Sequence, residues 1–159
     1  MLSASQVEEL NSLFAVELAM VHAATKSPGK WECVLTEMLV GDYAVIPLTS
    51  TKMLTSESYW MQNCCWEYAC LCADLEYSIF SIRSRFGKRL ATLGIGKEGR
   101  IWYFDQCFGP RNTQVLESMR DYTDEEGFIQ NELSATDIYY LAHEVVRLMN
   151  SHTLNSFKS

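Results

Sequence analysis

SIFSIRSRFGKRLATLGIGKEGRIWYFDQC, residues 78–107, holds three apolar runs joined by two short polar turns. From Ser78 to Arg83 the residues alternate, with Ile79 and Ser81 on one side and Phe80 and Ile82 on the other, the period of a strand. A turn at Gly87 leads to a second run, Leu90 to Ile95. A turn built from Gly96 and Gly99 leads to a third, Arg100 to Cys107. Runs linked this closely form an antiparallel meander, and such a sheet must bury its apolar face under neighbouring helices.

Working outward, Tyr43 to Leu48 is apolar and β-prone, but Pro47 lacks an N–H and demotes it to an edge strand or an extended connection. Trp31 to Leu39 reads as a short helix. Ser56 or Ser58 can cap a helix running to about Leu75, with Trp60, Cys64, Tyr68 and Leu71 on one face and Met61, Cys65 and Cys72 beside it. Ser5 and Glu8 have capping-box spacing for an N-terminal helix, 5–25, that stops at Lys26–Gly29. Downstream, Gly109 and Pro110 end the sheet, and Asn112 or Thr113 caps a helix carrying Val115, Leu116, Met119 and Tyr122. The acidic Asp121–Glu126 run is a loop. Ser134 and Asp137 open a last helix, 134–150, with Ile138, Leu141, Val145 and Leu148 on its apolar face, and the tail after Ser151 frays. The expected architecture is a single α+β domain over 1–159, a three- to four-stranded antiparallel meander packed against four or five helices.

The 159 residues fit one domain, and a 48% hydrophobic share fills its core without a metal or a disulfide. Twenty acidic against 13 basic residues give a formal charge of −7, a surface that duplex nucleic acid repels unless basic residues are segregated. Arg83, Arg85, Lys88 and Arg89 could form such a patch, with Lys97 and Arg100 following, or could simply be solvated around a hairpin. There is no leader pattern and no apolar run near the roughly 20 residues that span a bilayer. A cytoplasmic place without membrane contact is expected, where Cys33, Cys64, Cys65, Cys70, Cys72 and Cys107 stay reduced and mainly pack as small apolar groups.

Three ordered pieces carry a family resemblance. Cys64 and Tyr68 lie on one helical stretch with Cys72 after them; IFSIRSRFGKRLATLGI follows at 79–95; then Gln106, Gly109 and Asn112 recur at three-residue spacing. From Met61 to Asn112 the chain thus resembles the core of the PcfJ-like domain, a family of phages, plasmids and other mobile elements. Pro47 to Met61 is similar more weakly, and the family-like core extends over about 47–122. Two positions depart from the pattern. Asn63 stands where many relatives place a histidine, and Gly94 where many place a glutamate. If those groups serve chemistry in relatives, this chain lacks an imidazole and a carboxylate for acid–base work.

The chemical candidates follow. The cysteines lack CxxC spacing, and Cys70 and Cys72 point apart on a helix, so no metal is expected. Cys64 as nucleophile would need His143 or His22 as base, and nothing in the sequence unites them; no catalytic residue and no cofactor is assigned. Arg83, Thr92, Gln106 and Asn112 could project from neighbouring strands to grip an anion or a nucleotide edge, or could satisfy turns and caps. Trp31, Trp60, Tyr139 and Tyr140, with Arg85 and Lys88, are candidates for contact with a partner. The first functional expectation is a small, acidic, non-enzymatic mobile-element protein that binds and inhibits a host or defence-system protein, as anti-CRISPR-like proteins do. The alternatives are an enzyme or anion-binding domain on the sheet's polar face, and nucleic-acid binding through the Arg83–Arg89 turn.

Overall fold

A computed structural model describes residues 3–7, 29–114 and 132–156. The elements are β1 (Met38–Val40), β2 (Tyr43–Pro47), α1 (Thr51–Met61), a 3-10 turn (Cys65–Tyr68), α2 (Ala69–Ala73), β3 (Tyr77–Ser84), β4 (Arg89–Glu98), β5 (Ile101–Gly109), β6 (Thr113–Gln114) and α3 (Glu132–Ser156). The class is α+β. All strands join one antiparallel sheet in chain order, so the expected meander is present but wider than three or four strands. The extra width comes from two places. Met38 and Leu39, expected at the end of a helix from Trp31 to Leu39, form the outer strand β1 with Val40, and the chain passes Gly109 into the two-residue β6 instead of leaving the sheet.

β2 is therefore not an edge strand, since it pairs with β1 on one side and β3 on the other. Pro47 is tolerated because β1 reaches only as far as Val45. Leu48 N donates to Ile79 O, so by alternation the N–H that Pro47 lacks would have faced the side where no strand lies. Gly99, at φ +63°, makes the β4–β5 turn. Gly96 does not: it lies inside β4 with the Tyr103 ring over its Cα. Apolar alternation then gives the sheet two buried faces. Phe80, Ile82, Ala91, Leu93, Ile95 and Cys107 pack against Ile138, Leu141, Ala142, Val145 and Met149 of α3, a stripe at helical spacing. On the other face Tyr77 and Ile79 meet Leu54 of α1, Cys65 of the 3-10 turn, Ala69 and Cys72 of α2, and Leu48, which follows β2.

The helix expected from Ser56 or Ser58 to Leu75 starts earlier and breaks in the middle. Ser50 caps it, its side chain accepting Met53 N. Gln62 turns left-handed at φ 55°, ending α1. Ser58, fully buried, accepts Trp66 N at 3.0 Å and lies 3.1 Å from Cys65 Sγ, folding the next segment back onto α1. At the N-terminus the cap is Ser3, not Ser5: Gln6 N donates to Ser3 Oγ and Ser3 N to Gln6 Oε1. The rest of the 5–25 helix, the 115–122 helix and the acidic loop lie outside the described residues. The last helix runs beyond Ser151, to Ser156. Among the described residues no helix is long and apolar enough to cross a membrane.

Candidate functional site

Where α1 crosses the sheet, the alternation that buries Ile79 also points Ser81, Arg83 and Thr92 towards the helix. Helical spacing from Leu54 to Met61 passes through Glu57 and Ser58, so a carboxylate is carried onto the apolar face. Glu57 is 0% exposed. Its Oε1 accepts Ser81 Oγ and Arg89 Nε, each at 2.9 Å, and its Oε2 accepts Thr92 Oγ1 at 2.8 Å. Asn63 Nδ2 donates to Thr92 Oγ1 at 3.0 Å, while Asn63 Oδ1 accepts Cys65 N at 3.1 Å. Arg83 Nε donates to Ser81 Oγ at 3.0 Å, and burial, reinforced by the neighbouring Arg89 charge, lowers its pKa. A buried carboxylate is tolerated only when its lone pairs are met, and here three donors meet them.

A second chain runs beside the first. β5 carries an extra residue opposite Gly94–Ile95, a bulge that brings out Asp105. Tyr77 Oη donates to Asp105 Oδ2 at 2.6 Å and accepts Gln106 Nε2 at 3.1 Å. Burial, with Asp105 adding to it, pushes the Tyr77 phenol well above its ordinary value, so it remains a neutral donor. Tyr68 stacks on Tyr77 with ring centroids 4.5 Å apart.

Between the two chains lies a cavity of about 140 Å³. Asn63, Thr92 and Gln106 line it with Cys64 and Glu67 at the helical side, and Tyr68, Ile79 and Phe108 supply apolar wall. Thr92 and Gln106, expected to share a face, thus share a cavity. Arg83 is on the same face but bonded to Ser81 outside the lining, and the Asn112 side chain is not among those described. Local sequence pattern does not mark Glu57 as a site residue, and it marks Asn63 only as a departure from the family-like pattern. The readable signal for Glu57 was its place on the Leu54–Met61 stripe.

The remaining candidates disperse. Arg89 is held by Glu57, and Arg85 lies 3.7 Å from Asp42 at the surface, so two of the four basic hairpin residues already face carboxylates; Lys88 stays exposed at the tip. Trp31 donates Nε1 to Leu48 O and packs on the second core. Trp60, on α1, is 64% exposed with Tyr59 edge-on to it. Tyr139 packs against the α3 core and Tyr140 is exposed, both on the opposite side of the sheet from Trp60. His143 stacks on Phe104 in that same α3 layer, so the structure does not bring it to Cys64, while His22 lies outside the described residues.

Cys65, Cys72 and Cys107 are buried and Cys33 is partly so, as expected of small apolar groups, whereas Cys64 and Cys70 are exposed and depart from that role. Burial pushes the Cys65, Cys72 and Cys107 thiols up to about 12. A disulfide reagent at pH 8 should therefore consume Cys64 and Cys70 in the native protein and reach those three only after denaturation. Peptide mapping that finds Cys107 labelled as fast as Cys64 would contradict this packing. No cluster of metal-binding side chains occurs among the described residues. Searches with the whole chain match no family model, no curated protein and no solved structure.

Proposed function

We propose that this is a non-enzymatic binding protein of a mobile element, which occupies a host or defence-system protein and inhibits it. The observation that carries the reading is the surface where α1 ends. Trp60 stands mostly exposed one turn ahead of Asn63 and Cys64, which begin the wall of the cavity. An exposed tryptophan on the helix that leads into a preformed pocket is the chemistry of an interface anchor. The formal charge of −7 favours a partner with a basic surface, and the family resemblance favours a phage or plasmid origin. The buried Glu57 chain fits this role because it fixes Asn63 and Thr92 before any ligand arrives, which lowers the cost of binding.

Affinity capture with the full chain tests the reading. A stoichiometric host protein should be retained, its own activity should fall on saturation, and Trp60→Ala should weaken the complex about 30-fold with the fold intact. A captured protein that is chemically altered, or retention indifferent to Trp60, would argue for another function. The anion-binding alternative draws support from Thr92 and Gln106 sharing the cavity, but its guanidiniums are engaged elsewhere.

A further inference from the structure

We infer that the group received by the Asn63–Gln106 cavity is a guanidinium, supplied by an arginine side chain of the partner. The inference rests on the proposed binding role of that cavity and names the chemistry that fills it. Its first support is the direction of the hydrogen bonds. Thr92 gives its proton to Glu57 Oε2, so it must accept from Asn63, and the Cys65 N–H in turn requires the Asn63 oxygen. On the other side Tyr77 gives its proton to Asp105, so it must accept from Gln106 Nε2. Both chains run their donors towards a carboxylate. What remains for a ligand is one acceptor, Gln106 Oε1, which bonds to no group among the described residues, beside the second N–H of each amide, so the charge of the lining decides the class.

Charge points the same way. Glu67 lines the cavity, is exposed, and forms no ion pair among the described residues. No lysine or arginine lines it; Arg89 is held by Ser56 and Glu57, and Arg83 gives its Nε to Ser81 outside the lining. A phosphate or carboxylate entering here would lose its hydration and meet no cation, whereas a cation would meet a carboxylate and an amide oxygen. Size and shape narrow the class further. A cavity near 150 Å³ holds a single ring-sized group. A flat guanidinium carries several donors in one plane and stacks on aromatic walls such as Tyr68 and Phe108. Its apolar stem would pass the Ile79 side of the cavity without leaving a charge buried.

The test is a titration of the full chain, followed by NMR of the Gln106 and Asn63 side-chain amides, with four probes. These are N-acetylarginine methylamide, its neutral citrulline counterpart, the lysine counterpart and inorganic phosphate, all at low salt. The arginine probe should move both amides and bind about fivefold more tightly than citrulline, with lysine weaker than arginine. Glu67→Gln, at an exposed site, should weaken arginine about threefold and leave citrulline unchanged. Gln106→Met, which keeps the bulk and removes the acceptor, should weaken both. Citrulline binding as well as arginine would overturn the cationic class while leaving the cavity a binding site. Phosphate displacing arginine would overturn it in favour of an anion. If no probe moves either amide while the fold is intact, the inference fails together with the cavity reading beneath it.

Discussion

Glu57→Ala is expected to destabilise the protein by about 3 kcal/mol, the largest loss of any single polar substitution described for this molecule. The carboxylate is fully buried and accepts from Ser81, Arg89 and Thr92. Removing it strands two buried hydroxyls that each give their proton to this carboxylate. Arg89 suffers less, because its side chain is 24% exposed and can turn to solvent, which keeps the cost below that of an orphaned buried charge. For a chain of this size, 3 kcal/mol lowers the thermal midpoint by roughly 10 °C. Glu57→Gln should cost less than alanine, since its oxygen still accepts from Ser81 and Arg89. Its amide nitrogen, however, faces a Thr92 hydroxyl that then has no acceptor for its own proton.

The same site separates stability from positioning. A variant with Glu57→Leu, Ser81→Ala and Thr92→Val removes the two buried hydroxyl donors with the acceptor. It leaves the part-exposed Arg89 and Arg83 to turn to solvent and Asn63 Nδ2 without its partner, and apolar replacement of buried polar groups is often close to neutral. It should recover most of the stability lost in Glu57→Ala, as read by urea denaturation. It should not recover ligand binding, because Asn63 would no longer be anchored through Thr92. Full recovery of both would mean the buried carboxylate has no part in shaping the cavity.

How this site could be read from sequence depends on which period governs each residue. The two-residue alternation of Ile79, Phe80, Ser81 and Ile82 assigned both faces of β3, and the pairing of Ser81 with Thr92 follows once β3 and β4 form a hairpin. That much requires only local pattern. Glu57 was missed because polar residues at 55–58 read as a capping signal, whereas the true cap is Ser50 and the stripe continues through Glu57. Arg83 was expected to face a ligand with Thr92, and the alternation was right about the face. It could not place Arg89 opposite Arg83, because that depends on a register shift after Ile82, nor show that Arg83 bonds to Ser81 on its own strand. The break at Gln62 was invisible for a related reason: it needs Ser58 to capture Trp66 N, a contact eight residues apart inside one apparently continuous helix.

Gly94→Ala is the second large effect, with an expected cost of about 2 kcal/mol from overpacking. A Cβ at this position would lie 2.2 Å from Tyr77 Oη and 2.9 Å from its Cζ. The ring cannot retreat cheaply, since Tyr77 is buried, stacked on Tyr68, and bonded to Asp105 and Gln106. Gly96→Ala is the control: its Cβ would meet the Tyr103 ring at 2.5 Å, but Tyr103 is 44% exposed and can swing away, so the cost should be small. In a Tyr77→Phe background Gly94→Ala should cost about half as much, because the 2.2 Å contact is gone and the 2.9 Å one remains. Equal costs at 94 and 96, or no coupling to Tyr77, would refute this account of the glycine. The volume beside the Gly94 Cα is taken by a phenol that orients Gln106, so a larger side chain there, such as glutamate, would displace Tyr77 and release Gln106 from its place in the cavity lining.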